Sequence, residues 1–149
     1  MEAGSPRTLC LDTDILIDYL RGPSEEAMKL FEAALAKGVI LATTCINAYE
    51  IWLGAFLSPK PEEKASLVAE FLTKLVILDL DYGAAVEAAR IMAMLRRKGM
   101  MIDVRGLLAG SIAKENGIPM ITGNVKHYAR IPGLRVMTPE EAVKMLATG

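Results

Sequence analysis

The side chains best suited to chemistry in this chain are oxygen donors set against apolar runs. Asp12 closes the run Thr8-Leu-Cys-Leu11, Glu50 sits inside the nearly uncharged stretch Ile46-Asn-Ala-Tyr-Glu-Ile-Trp-Leu-Gly-Ala55, and Thr122-Gly-Asn124 follows Pro119-Met-Ile121. Carboxylate oxygens gathered in one place can hold a hard cation, and the Thr122 hydroxyl and Asn124 amide can bond a water, a phosphate oxygen or carboxylates opposite. Each residue also has a plainer use. Asp12 can cap a helix over Asp14-Ile-Leu-Ile-Asp-Tyr-Leu20, and Asn124 one over Val125-Lys-His-Tyr128. Glu50, a lone carboxylate in apolar company, must be partnered, exposed or shifted toward its neutral form, and a nearby arginine serves as well as a metal. His127, the only histidine, can act as a general acid or base or simply pack, and no nucleophilic triad assembles around it.

The elements that must position these groups follow from the apolar pattern. Thr8–Asp12, Val39–Thr43, Leu75–Asp79, Pro119–Thr122 and Leu134–Met137 are short runs rich in branched residues, and helical stretches separate them. Runs apolar on both faces suit strands covered on both sides, so the expected fold is α/β with a five-stranded parallel sheet. Ser24 with Glu25 and Glu26 starts one helix and Gly38 stops it; Pro61, Asp81, Asp103 and Thr138 open others, each with the chemistry of a first turn. Ligands of such sheets collect beyond the carboxyl ends of the strands. Asp12 and Thr122 stand at two such ends.

The 149 residues, 52% of them hydrophobic, fill one substantial core. We expect a flexible segment at residues 1–7 and a single domain over 8–149. With 17 basic and 18 acidic residues the net charge is −1, so contact with nucleic acid would need a local basic patch. Cys10 and Cys45 lie in apolar runs and read as buried free thiols, which argues against a disulfide scaffold and against zinc. No apolar run reaches membrane-spanning length and the N-terminus lacks the order of a signal peptide, so a cytoplasmic location is expected.

Four segments in order, Leu11-Asp-Thr-Asp-Ile-Leu-Ile17, Ala48-Tyr-Glu-Ile-Trp-Leu-Gly-Ala55, Ile102-Asp-Val-Arg-Gly-Leu-Leu-Ala-Gly110 and Ile121-Thr-Gly-Asn-Val-Lys-His-Tyr128 with Ile131-Pro-Gly-Leu134, resemble a PIN-domain ribonuclease, specifically the VapC-type toxin of a type II toxin–antitoxin pair. The similarity runs from about Thr8 to Val136. It implies a three-layer α/β/α sandwich, Mg²⁺ or Mn²⁺ bound by acids at the carboxyl edge of the sheet, and cleavage of RNA by a metal-activated water. It also implies a homodimer and a VapB-like antitoxin whose extended tail crosses the active groove.

Carried over by position, the resemblance assigns Asp12 as the first acid, Glu50 as the second and Asn124 as the fourth. The third acid is due at Gly106, which has no side chain to offer. Asp103 shares a helix face with Gly106 and could supply a displaced ligand, or serve only as the helix N-cap. The expectation is weakened metal binding, slow or absent cleavage, and restoration by Gly106→Asp. Arg105, Lys126 and Thr122 are candidates for RNA contacts, with Arg96, Arg97, Lys98 and Arg130 as further phosphate partners. The alternative is a non-catalytic PIN-like binding module acting through protein partners. A receiver-type α/β domain is disfavoured, because Leu134-Arg-Val-Met-Thr138 carries no lysine after the last strand.

Overall fold

The computed structural model describes residues 6–148. The sheet expected from the sequence is present: β1 (Thr8–Leu11), β2 (Ile40–Thr44), β3 (Val76–Leu78), β4 (Met120–Ile121) and β5 (Val136–Met137). All neighbours are parallel, in the order β3-β2-β1-β4-β5. The last two strands are shorter than their apolar runs, in part because Pro119 lends β1 a carbonyl, accepting from the Cys10 amide at 2.9 Å, but has no N–H to donate. Residues 1–5 of the expected flexible segment lie outside the described residues. Arg7 already extends the β1–β2 pairing, its carbonyl accepting from the Ile40 amide.

Side-chain alternation along β1 splits the interior in two. Leu9 and Leu11 point into one core with α1 (Thr13–Leu20), α2 (Glu25–Lys37), α3 (Cys45–Phe56), α4 (Pro61–Leu72) and α8 (Pro139–Thr148), whereas Cys10 points into a second with α5 (Tyr82–Arg97), α6 (Val104–Glu115) and α7 (Val125–Tyr128). β4 repeats the division, Ile121 on the first side and Met120 on the second. The result is a three-layer α/β/α sandwich. Cys10 and Cys45 are free thiols, and burial pushes the Cys10 thiol up to about 12, so it stays a neutral core group.

The helix boundaries follow their caps. Ser24 accepts from the Ala27 amide and Gly38 ends α2 in the left-handed region that glycine tolerates; Asp81 accepts from the Ala84 amide to start α5, and Thr138 with Glu141 forms a reciprocal capping box on α8. Ile91 and Leu95 are core residues. Among the described residues no helix is long and apolar enough to cross a membrane.

Chain direction gives the sheet its crevice. From central β1 the chain runs outward to β2 and β3, then returns to the other side of β1 to form β4 and β5. The reversal falls between the carboxyl ends of β1 and β4, the usual ligand position of an open parallel sheet.

Candidate active site

Asp12 is the first residue past β1 and occupies the N-cap of α1, so the sequence alternatives of cap and pocket carboxylate are both realised. The Thr13 amide donates to its Oδ1 at 2.8 Å, Asn47 Nδ2 at 3.0 Å and the Tyr128 hydroxyl at 2.8 Å, while the Thr122 hydroxyl donates to Oδ2 at 2.7 Å. The carboxylate is 8% exposed, and donors from α1, α3, α7 and the end of β4 meet on it. A buried charge requires such company. Burial, and then the negative charge of Asp12, push the Tyr128 hydroxyl upward, which keeps it a proton donor.

Thr122, expected to be open to RNA, is fully buried. Its hydroxyl is spent on Asp12 and accepts from the Asn124 amide at 2.9 Å; direct contact with a large ligand is closed to it, and its role is to orient. Asn124 stands at the N-cap position of α7, with no side-chain cap bond. Lys126 is exposed on the same short helix. Asp14, the second residue of α1, accepts from the Gly123 amide at 2.8 Å and closes the rim between α1 and the β4 loop. Desolvation, and secondarily Asp12, raise its carboxyl above the ordinary value.

Glu50 is held differently. Its Oε1 accepts from the Thr13 hydroxyl at 2.7 Å, and Oε2 lies 3.3 Å from Arg105 Nη1. Asn47 links the two acids, because its Nδ2 reaches Thr13 Oγ1 at 2.9 Å as well as Asp12. Asn47 and Glu50 stand three apart on α3 and share a face, a spacing visible in the sequence but read there only for its charge. The arginine partner considered for Glu50 is thus present, and it is Arg105, the expected phosphate contact. The other side of the same guanidinium, Nε, is 3.4 Å from Asp103 Oδ2. Asp103 occupies the N-cap position of α6 but makes no side-chain cap bond; its carboxylate turns to Arg105 instead.

Gly106 has a structural reason that the sequence did not show. A Cβ built on it would overlap the His127 imidazole, with Nε2 far inside any permissible contact and Cδ2 at 3.0 Å. The ring stands edge-on to Tyr128, centroids 5.1 Å apart at 88°. The space a side chain at 106 would need is therefore filled from α7. Gly110, one turn later, is a packing glycine of the ordinary kind, where a Cβ would overlap Ile131 Cδ1.

These donors do not fit the divalent ion that the resemblance implies. Asp12 already accepts four hydrogen bonds, both Glu50 oxygens are engaged by the chain's own donors, and position 106 contributes no oxygen. Among the described residues no three His, Cys, Asp or Glu side chains come together in an arrangement able to hold a metal.

The PIN domain family model matches residues 9–134. This chain belongs to the PIN domain family. Among its curated relatives, the tRNA(fMet)-specific endonuclease VapC of Salmonella typhimurium is 29% identical over 126 residues, covering 85% of this chain and 93% of the relative. The ribonuclease VapC2 of Haemophilus influenzae is 26% identical, covering 84% and 92%. Among solved structures, this PIN domain is similar to DNA-bound VapBC from Salmonella typhimurium (TM-score 0.81, 27% identity, 91% of this chain and 99% of that one). It is also similar to VapBC2 from Rickettsia felis bound to a promoter DNA fragment (TM-score 0.79, 27% identity, 87% and 96%). The VapC-type resemblance read from the sequence, and the fold it implied, are borne out.

Proposed function

We propose that this PIN domain is the ribonuclease-type toxin of a toxin–antitoxin pair, that its metal-dependent cleavage of RNA is slow or lost, and that it keeps the surfaces for its partners. The family, and relatives that are VapC ribonucleases, support the class. The observation that carries the weakened activity is the first turn of α6, where Gly106 offers no carboxylate and His127 fills its place. A phosphodiester attacked by water needs its developing charge neutralised, and this pocket has lost one of the oxygens that would anchor the required cation. The engaged oxygens of Asp12 also favour the second reading, a binding module in which that carboxylate is architecture.

For the antitoxin, the groove between α1, α3 and α4 is the best berth. Ile17, Leu20, Ile51, Ala55, Leu67 and Val68 line it together with Glu50, so a partner segment lying there touches one of the pocket's acids. For a homodimer, edge strand β3 and the helix after it expose Val76, Ile77, Tyr82 and Val86, and an apolar sheet edge calls for cover.

The test compares cleavage of tRNA(fMet) and of a mixed RNA pool, with Mg²⁺ or Mn²⁺, by the unaltered chain, Gly106→Asp, and Gly106→Asp with His127→Ala. The unaltered chain is expected to be slowest and the double variant fastest, because alanine vacates the space the new carboxylate needs. Equal cleavage by all three, or by none, would sink the proposal.

A further inference from the structure

The acid pocket carries its own cation. Arg105 stands on the first turn of α6 with its fork spread across two carboxylates, Nη1 toward Glu50 and Nε toward Asp103. The opposite oxygen of Glu50 is tied to Thr13, and Thr13 is tied through Asn47 to Asp12. The negative charge on the α6 side of the pocket is therefore faced by a guanidinium, a group that stays protonated at every pH a protein tolerates. A divalent ion placed against Glu50 Oε2 would have to displace the guanidinium or sit beside it, like charge against like charge. From the remaining direction, Gly106 and the imidazole over it supply no oxygen.

We propose that Arg105 is the resident counter-ion of this site, and that it keeps Mg²⁺ and Mn²⁺ from Glu50 in the unaltered chain. The inference deepens the toxin reading, on which it rests for the kind of ion expected at the pocket. It is a property of binding, separate from cleavage. Losing the third acid and holding an internal cation are two additive barriers, so restoring the acid recovers part of the affinity and Arg105 limits the rest.

The experiment titrates Mn²⁺ alone into the full chain and follows free Mn²⁺ by electron paramagnetic resonance, with thermal unfolding to verify that each variant is folded. Arg105→Gln, which removes the charge, is expected to gain at least about tenfold in apparent affinity. Arg105→Met, which keeps an apolar stem of similar length without the charge, should gain equally and guards against a local effect of glutamine. Arg105→Lys retains a cation and should stay within about twofold of the unaltered chain. Adding Glu50→Gln to Arg105→Gln should abolish the gain, which a merely structural role for Arg105 does not predict. Mn²⁺ binding by the unaltered chain as tight as by Arg105→Gln, or gains that survive Glu50→Gln, would overturn the proposal. Tight Mn²⁺ uptake without RNA cleavage would defeat this inference and leave the weakened toxin intact. Brisk cleavage by the unaltered chain would defeat the weakened toxin instead.

Discussion

The two sides of the pocket are built on different principles. On the β1–β4 side, Asp12 is buried and accepts hydrogen bonds from four residues drawn from separate parts of the chain. On the α6 side, Glu50, Asp103 and Arg105 meet at longer range, with Arg105 and Asp103 about half exposed and Glu50 a quarter exposed. Interactions of the first kind stabilise the fold because their loss strands buried donors; those of the second are screened and contribute little. A carboxylate on the α6 side can therefore disappear at small cost to folding, and one on the β1 side cannot.

Substitution at the two acids gives the largest expected contrast. Asp12→Ala removes a helix cap and leaves the Asn47 amide and the Thr122 and Tyr128 hydroxyls without their acceptor, so unfolding in urea should show a loss of about 3 kcal/mol. Glu50→Ala should cost under about 1 kcal/mol. Similar losses for both would break the contrast. Tyr128→Phe sharpens it, because the ring and its contact with His127 remain while one donor to Asp12 is lost, for about 1 kcal/mol in the same assay.

Next comes the coupling at position 106. Gly106→Ala should lower the melting temperature when His127 is present, because the ring must leave its place. In a His127→Ala background the same change should stabilise by up to about 1 kcal/mol, the ordinary advantage of alanine over glycine within a helix. A stability effect of one sign in both backgrounds would show that the imidazole does not own that space.

The smallest effect concerns Asp14. Its carboxyl is raised above 3.8 chiefly by desolvation, so the folded chain holds that proton more tightly than the unfolded one. The resulting stabilisation is fully present below the unfolded value and is lost as pH rises through the folded value. Asp14→Asn, which mimics the protonated acid, should remove that fall, leaving stability nearly unchanged below the unfolded value and slightly raised in the neutral range. A variant that gains nothing at neutral pH relative to acid would contradict the assignment.

Much of this was readable from residue order. Branched runs gave the strands, Ser24, Asp81 and Thr138 gave helix starts, and the direction of the chain brought Asp12 and Thr122 to one crevice. What escaped was the company each group keeps. Thr13, Asn47 and Tyr128 resemble local caps and packing residues in sequence, and only the fold shows them converging on one carboxylate. The contact of His127 with Gly106 joins two distant helices and has no periodic signature. Arg105 was read as facing phosphate because its charge was visible and its two acidic neighbours in space were not.

The Asp12 network has a consequence for reading relatives of this chain. Because that carboxylate fastens β1 to β4 and to three helices at once, a lineage needing only a foldable scaffold or a partner surface would retain it long after cleavage had ceased to matter. Its persistence in a sequence testifies to a sound frame. The third position of α6, where Gly106 meets the His127 ring, lies outside that network and is free of its constraint.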